Sequence, residues 1–267
     1  MTKCSVCGVK EAVFYKRDSG EVVCSRCLEK GLVKKVRRII ARNSMLKPED
    51  NIAYIIIPWR PYTSTAALKV LEIVEDKFKT NIAVYVPKGI VDVEKAKRLF
   101  KMDFIEFEFH LEDNSNFKSA ERTLMEKLLT TIGENYKVVL PYTMEDQAVH
   151  FLYGLFKIDL EVIAFSKPIY EGYRSIIKPF YQVPSEELNM YSYVKGLREP
   201  VIRSVELNVD ETLSHVYKIL EHMIEHYELM YSTIYMAHTM ANELKLKQCK
   251  ICGLPSLGDY CSLHLNI

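Results

Sequence analysis

The chain has 267 residues, enough for one α/β domain of about 150 residues with smaller appendages. Its net charge of +1 says nothing about partners by itself, but residues 1–50 carry a local excess of positive charge, with 12 Lys and Arg against 6 Asp and Glu. No run of 18 apolar residues and no signal-peptide pattern occur, so we expect a cytoplasmic protein without membrane association.

Two C-x2-C pairs, sixteen residues apart, mark the N-terminal segment 1–30: Cys4, Cys7, Cys24 and Cys27. Between the pairs the sequence predicts a β-hairpin that turns at residues 18–20. Four thiolates complete a tetrahedral site, so the spacing predicts a zinc ribbon with one structural Zn²⁺. Two redox-active pairs or free thiols are the alternative.

A basic amphipathic helix is predicted over residues 28–44, and most of it lies in the segment 31–48 that links the zinc ribbon to the rest of the chain. Its basic face consists of Lys34, Lys35, Arg37, Arg38 and Arg42. Such a face is often only solvated. The adjoining zinc module favours a second interpretation, in which these residues contact a nucleic-acid backbone.

Residues 51–79 predict a buried strand at 52–57, a turn containing Pro58 and Pro61, and an apolar helix. The expected helix cap is one of three hydroxyl residues: Thr63, Ser64 or Thr65. Strand, turn and helix open many nucleotide-binding domains, in which the helix N-terminus faces a phosphate. The turn sequence WRPYTS has no glycine and includes a proline, which has no N–H, so it lacks the groups of a phosphate cradle.

Strands and helices alternate after that unit. Predicted strands span residues 81–87, 104–111, 137–142 and 175–180. Predicted helices span residues 93–101, 119–136, 144–156 and 184–197. This alternation predicts an α/β domain over residues 49–205, with a doubly wound parallel sheet and a ligand crevice at the carboxyl ends of its strands.

A long helical segment is predicted within residues 206–247, with a break near Ser232. It contains His222 and His226 in an H-x-x-E-H string, which is typical of inverted zincins. That chemistry needs a third ligand downstream, where few residues remain. We therefore interpret both histidines as surface residues.

The C-terminal segment 248–267 carries a second ligand pattern, with Cys249-x2-Cys252 followed by Cys261-x2-His264. This spacing predicts a small Cys3His zinc knuckle. No cysteine lies between Cys27 and Cys249.

This order of modules resembles the PP-loop tRNA 2-thiolation family, and three stretches carry the resemblance. IAYIIIPWRPYTSTAAL lies where the family has an apolar strand, SGGKDS and a helix. PYTMEDQAVHFL is similar to the family's GHNLDDQA, with Glu145 and Asp146 at the acidic pair. SIIKPFYQVPSEELNMYSYVKGL is similar to its IKPL segment, with Lys178 at the lysine. The resemblance implies the PP-loop fold.

In active members of the family, the PP-loop holds ATP, a tRNA uridine is adenylated and sulfur displaces AMP. Many members bind an iron–sulfur cluster through three cysteines of the catalytic domain. Here WRPYTS replaces SGGKDS, Pro141-Tyr142-Thr143 replaces GHN, and cluster cysteines are missing. We therefore expect two structural Zn²⁺ ions and no iron–sulfur cluster, and the loop argues against ATP binding. Glu145 and Asp146 are interpreted as first-turn helix residues, and Lys178 as a solvated strand end.

Three functions are compatible with these observations. The first is a catalytically degenerate paralogue that binds tRNA or acts as a scaffold in tRNA uridine 2-thiolation, paired with an intact PP-loop thiolase or a second copy of itself. The second is an active ATP-dependent tRNA sulfurtransferase whose rebuilt nucleotide loop uses Arg60, Thr63, Ser64 and Thr65. The third is a zinc-stabilised protein-interaction module that does not bind RNA.

Overall fold

A central sheet flanked by helices organises the computed structural model, which describes residues 2–78, 80–112, 115–133, 135–172 and 174–265. The strands in chain order are β1 (Phe14–Tyr15), β2 (Val22–Val23), β3 (Asn51–Ile55), β4 (Asn81–Pro87), β5 (Asp103–Phe107), β6 (Tyr136–Val139), β7 (Ile169–Tyr170), β8 (Ile176–Ile177), β9 (Lys247–Gln248) and β10 (Pro255–Ser256). The helices are α1 (Ser25–Arg42), α2 (Pro61–Glu75), α3 (Val93–Leu99), α4 (Phe117–Thr131), α5 (Met144–Lys157), α6 (Leu160–Phe165), α7 (Ser185–Val194), α8 (Glu211–Glu225) and α9 (Tyr227–Glu243).

The central sheet has six strands in the order β5-β4-β3-β6-β8-β7. Every neighbouring pair is parallel except β7 and β8, which run antiparallel. The predicted α/β fold with a mostly parallel sheet is therefore confirmed. The antiparallel edge strand β7 and the short helix α6 before it were not predicted.

The strand β3 and the two residues after it are buried on both faces. Ile52, Tyr54 and Ile56 belong to the core shared with α1 and α2. The intervening Ala53, Ile55 and Ile57 belong to the core shared with α4. A strand in the middle of a parallel sheet is covered on both sides, which explains why this stretch is a continuous apolar run.

Several predicted boundaries are wrong. β5 ends at Phe107 rather than at residue 111, and α4 ends at Thr131 because β6 already begins at Tyr136. The long helical segment breaks at His226 rather than near Ser232, since the φ and ψ of His226 are −131° and 77°.

The predicted cap of α2 is also wrong. α2 begins at Pro61, with Arg60 in the N-cap position. Proline suits the first helical position because its φ is fixed near the helical value and its missing N–H would have no partner there. Thr63, Ser64 and Thr65 therefore lie inside the helix, where all three are buried.

The helices α8 and α9 pack against α5, and α9 also packs against α6. They form a helical layer beside the carboxyl edge of β6. Among the residues that the structure describes, no helix has both the length and the apolar character needed to cross a membrane.

Candidate functional site

The four N-terminal cysteines converge on one point. Their sulfur atoms all lie within 4.8 Å of one another, and those of Cys7 and Cys24 are 3.9 Å apart. Four sulfurs at about 2.3 Å from a tetrahedral Zn²⁺ are roughly 3.8 Å apart, so the group fits a metal ion. Cys24 is the N-cap of α1 and Cys27 lies in its first turn, where the helix dipole stabilises negative thiolates.

The C-terminal group is equally tight and is buried: Cys249, Cys252, Cys261 and His264. The Nδ1 atom of His264 lies 3.4 Å from the sulfur of Cys249 and 3.2 Å from that of Cys261. A tetrahedral Zn²⁺ places sulfur and nitrogen ligands about 3.6 Å apart, so this group also fits a metal ion.

Residues of α4 and α6 surround the C-terminal group. The Nε2 atom of His264 lies 3.2 Å from the Glu126 carboxylate, which fixes the ring with Nδ1 toward the sulfurs. The buried Arg122 donates hydrogen bonds to the sulfur of Cys252 at 3.4 Å and to the carboxylate of Glu161 at 3.2 Å. The positive charge of Arg122 thereby offsets the negative charge of the thiolates.

One thiol of this group is already disposed to ionise. Hydrogen bonding to Cys252 lowers the pKa of Cys261 to about 4, against the effect of burial and with help from the charge of Arg122. The same hydrogen bond raises the pKa of Cys252, so a bound cation would displace the proton that these two thiols share.

An ion pair lies at the carboxyl edge of the sheet, between α2 and α5. The Nη1 atom of Arg60 is 2.7 Å from Oδ1 of Asp146, which lies in the first turn of α5. The other oxygen of Asp146 accepts hydrogen bonds from the backbone N–H and the hydroxyl of Thr143, at 2.7 and 2.8 Å. Both oxygens of Asp146 are thus engaged by groups of the protein itself.

The hydroxyls predicted to form a nucleotide loop are also engaged internally. The Ser64 hydroxyl accepts from the backbone N–H of Ile57 at 3.1 Å and donates to a backbone carbonyl one turn back at 2.9 Å. Thr63 donates to the side chain of Asn189 at 2.9 Å, and Thr65 to a carbonyl of its own turn at 3.0 Å. These hydroxyls therefore stabilise the start of α2.

The other member of the acidic pair, Glu145, caps a neighbouring helix. Its two oxygens accept from the backbone N–H of Ser185, the first residue of α7, at 3.1 and 2.9 Å. Burial raises the pKa of Glu145, and these hydrogen bonds oppose that rise. Because Pro184 in the N-cap position offers no side-chain acceptor, Glu145 supplies one from α5.

A buried polar cluster beneath the ion pair was not predicted. Oε1 of Glu121 accepts the hydroxyl of Tyr142 at 2.7 Å and lies 2.7 Å from Nε2 of His150. All three side chains are buried. A hint in the sequence was available, since Tyr142 replaces a residue of the family's GHN motif.

Lys178 is fully buried, so its interpretation as a solvated strand end is wrong. Its ammonium group donates to the backbone carbonyl of Phe165 and lies 3.6 Å from the centroid of that ring. Burial lowers the pKa of Lys178 to about 7, although the charges of Glu121 and Asp146 oppose this effect. The lysine of the IKPL-like segment thus lies inside the molecule.

The predicted nucleic-acid residues on α1 separate into two groups. Lys34, Arg37, Arg38 and Arg42 are exposed. Within the described part of the chain, none of these four has a hydrogen bond or an ion pair. Lys35 instead forms ion pairs with Glu187 at 3.0 Å and Asp18 at 3.7 Å.

The histidines of the H-x-x-E-H string do not share one helix. His222 lies on the exposed side of α8, whereas His226 is the break between α8 and α9. The structure therefore does not present them as two ligands one turn apart.

A solved structure gives the context for this arrangement. The chain is similar to "U34-tRNA thiolase NcsA from Methanococcus maripaludis with its [4Fe-4S] cluster", with a TM-score of 0.75 and 18% sequence identity over 98% of this chain and 94% of that one. The two chains share one fold. No protein-family model matches the sequence, and no curated protein matches it.

The cysteines of the present chain lie only in its two terminal parts. All seven belong to the two terminal groups, and none lies in the central sheet or its helices between β3 and α9. A cluster in the α/β region would therefore have no cysteine ligands from this chain.

Proposed function

We propose that this chain is a catalytically degenerate PP-loop paralogue that binds tRNA and serves as a scaffolding subunit in cytoplasmic tRNA uridine 2-thiolation. The ion pair between Arg60 and Asp146 is the main support, because it occupies the crevice where a PP-loop holds the phosphates of ATP. The likeness in fold to a U34-tRNA thiolase supports the reaction class.

The electrostatics of the crevice disfavour a triphosphate. Arg60 is the cation nearest the start of α2, and Asp146 already neutralises it at 2.7 Å. A phosphate that displaced Asp146 from Arg60 would leave two like charges close together in a poorly hydrated crevice. Pro61 has no N–H to offer at the start of α2.

Calorimetric titration with ATP and Mg²⁺ tests the loss of nucleotide binding. We expect no saturable binding up to millimolar ATP, because neither the charge nor the hydroxyls at the start of α2 are free. Saturable binding that Ser64→Ala abolishes, and that Thr130→Ala on α4 leaves unchanged, would show that the nucleotide site works.

Both terminal groups are proposed to hold Zn²⁺. Their donor sets, four thiolates and three thiolates with one imidazole, are those of closed structural zinc sites. Metal analysis of protein purified without oxygen is expected to give two zinc ions per chain. Iron with acid-labile sulfide in place of zinc would refute this assignment.

An active ATP-dependent sulfurtransferase is the second candidate. The observation in its favour is Lys178, whose pKa is lowered by burial, near the buried side chains of Glu121 and His150. Buried groups with a shifted pKa concentrate at functional sites. Incubation with ATP, tRNA and sulfide, followed by mass spectrometry of the nucleosides, distinguishes the candidates. A thiolated uridine formed by wild type and lost in Lys178→Met would establish the enzyme.

The expected partners are tRNA and an intact PP-loop thiolase or a second copy of this chain. Affinity purification of the native protein identifies them, and filter binding to tRNA at two salt concentrations tests the RNA contact. If tRNA does not bind and no thiolase co-purifies, the chain is better explained as a zinc-stabilised protein-interaction module.

A further inference from the structure

The α1–α9 trough is a surface with cations on one side and tyrosines on the other. Its members are Arg38 and Arg42 on α1, Tyr231 and Tyr235 on α9, and Tyr181 and His238 between them.

The cations belong to a ladder with a spacing of four residues along α1: Arg26, Lys30, Lys34, Arg38 and Arg42. All five are exposed. They have no hydrogen bond or ion pair to any other residue that the structure describes. The ladder extends for about 24 Å, since each helical residue adds about 1.5 Å. Successive residues at this spacing are neighbours on the helix surface, and each step turns by about 40°, so the ladder is a slanted row of positive charge that winds partway around α1.

The ladder is held in place by the opposite side of α1. The buried residues of α1 are Leu28, Leu32, Val36, Ile39 and Ile40, and the helix packs against α2 and α7. The exposed cations are thus carried on a rigid element rather than on a loop.

The tyrosines occupy a matching face of α9. Tyr231, Tyr235 and His238 follow one another at steps of four and three residues, so they lie on one side of the helix. Tyr235 is 76% exposed and Tyr231 is 40% exposed. Large aromatic rings on a surface without apolar partners are available for stacking.

Tyr181 connects the two helices. Its ring centroid is 4.9 Å from that of His238 on α9, and its hydroxyl accepts a hydrogen bond from Asn43, the C-cap of α1, at 3.5 Å. Farther along the trough, burial raises the pKa of Tyr231, the charges of Asp18, Glu187 and Glu145 raise it further, and the charge of Arg38 opposes this rise. The tyrosines of α9 therefore lie alongside the last two turns of the ladder.

This combination fits an unpaired RNA strand. A line of cations follows the phosphate backbone, and exposed aromatic rings accept stacked bases, whose faces are free only where the strand is unpaired. An acidic peptide would use the cations but would leave the tyrosines without a function. A double helix presents its base edges and phosphates but no free base face.

We infer that the α1–α9 trough binds a single-stranded segment of RNA, with its phosphates on the Arg38 side and a base stacked on Tyr235. This inference rests on the proposed function, because it assigns the part of the tRNA that the chain holds. That part is a loop or a single-stranded end rather than a helical arm.

Fluorescence anisotropy with a labelled, unstructured RNA of about 12 nucleotides tests the trough. We expect this RNA to bind at least about tenfold more tightly than a duplex of the same sequence at equal salt. Tyr235→Ala should weaken binding about tenfold, whereas Tyr235→Phe, which keeps the ring, should stay within about twofold of wild type. Tyr235 is exposed, so folding is preserved in both variants.

The phosphate contact has its own measurement. Arg38→Gln should weaken binding and reduce the slope of log affinity against log salt by about 0.7. Lys97→Gln, which removes an exposed cation from α3, and Tyr193→Ala, which removes an exposed ring from α7, are the matched controls and should change neither value.

Two results would overturn the inference that the trough binds single-stranded RNA. One is equal affinity for strand and duplex with no effect of Tyr235→Ala, and the other is competition by polyglutamate as effective as that by RNA. If intact tRNA still binds in either case, the proposed function survives with a different RNA surface. If the trough variants behave as expected but ATP binds in the crevice, the proposed function fails and the trough stands.

Discussion

Two acidic side chains at the carboxyl edge of the sheet are engaged by other groups of the protein. Asp146 is shared between Arg60 and Thr143, and Glu145 caps α7. The acidic pair that resembles a family motif thus has a complete structural explanation. Both oxygens of each carboxylate already have partners within the protein.

Lys178 leads to a prediction about pH. Burial lowers its pKa to about 7 in the folded protein, whereas an unfolded lysine titrates near 10.4. Between these values the unfolded chain binds a proton that the folded chain does not, so Lys178 makes stability rise with pH. In Lys178→Met this contribution is absent. Between pH 7 and pH 9, the free energy of unfolding of the wild type should therefore rise by roughly 1–2 kcal/mol relative to that of the variant.

Urea unfolding of both proteins at pH 6, 7, 8 and 9 measures this difference. Below pH 7 the lysine is protonated in both states, and the difference between the two proteins should become constant. Parallel stability curves from pH 7 to pH 9 would mean that Lys178 keeps an ordinary pKa.

The ion pair at the start of α2 gives a second prediction at this scale. Asp146→Asn should destabilise the fold by roughly 1–3 kcal/mol, because Arg60 loses its partner in a mostly buried position. Arg60→Gln in addition should cost less than the sum of the two single changes. Strict additivity in a double-mutant cycle would show that the two side chains do not interact.

The residue scale also shows what sequence can and cannot reveal. The eight metal ligands were predictable because C-x2-C spacing reflects local geometry that the chain imposes on itself. The contacts of Glu121 with Tyr142 and His150 join residues 21 and 29 positions apart through tertiary packing. No local pattern encodes such a meeting, so this cluster was missed.

At the scale of elements, substitution of glycine by alanine is expected to have opposite effects on stability at Gly31 and at Gly154. Gly154 lies in α5 where α6 crosses it, and a Cβ there would be 2.7 Å from the Cγ1 atom and 2.9 Å from the backbone nitrogen of Ile163. Gly154→Ala should therefore separate the two helices and cost roughly 1–3 kcal/mol.

Gly31 lies inside α1, where a Cβ would meet only the flexible end of Lys16 at 3.4 Å. Gly31→Ala should stabilise the protein by roughly 0.5–1 kcal/mol, because alanine restricts the unfolded chain and favours helix. Thermal unfolding of both variants beside wild type checks the pair. A stabilised Gly154→Ala would show that α5 and α6 are less closely packed than described.

Elements with a strong period were predictable, and short ones were not. The buried strand β3 and the amphipathic α1 have long continuous patterns. α6 has six residues and β7 has two, too few to show a period. β7 exists because β8 offers an edge to pair with, which is information from elsewhere in the chain.

At the scale of the whole molecule, the two metal groups differ in how they join the fold. Cys249, Cys252 and Cys261 are all buried in the core that contains β3 and α4. In the N-terminal group, Cys4 and Cys24 are buried in the core shared with α1, but Cys7 is exposed. Loss of the C-terminal metal therefore disturbs a fully buried group, whereas loss of the N-terminal metal disturbs a group that is partly open to solvent.

Cys252→Ser and Cys7→Ser test this difference. Each variant should lose one metal ion per chain, and the unfolding temperature of Cys252→Ser should fall by roughly 5–10 °C more than that of Cys7→Ser. Metal analysis with calorimetry gives both values. Equal decreases in unfolding temperature would show that the C-terminal group is not part of the cooperative core.

The helix α4 carries two neighbouring charges, Glu121 and Arg122, that contact two different groups of residues. Adjacent residues of a helix point about 100° apart, so one reaches Tyr142 and His150 while the other reaches Cys252 and Glu161. One helical turn of α4 therefore contacts both groups of residues. Because both residues belong to one helical turn, a rotation of α4 that moved Arg122 would also move Glu121.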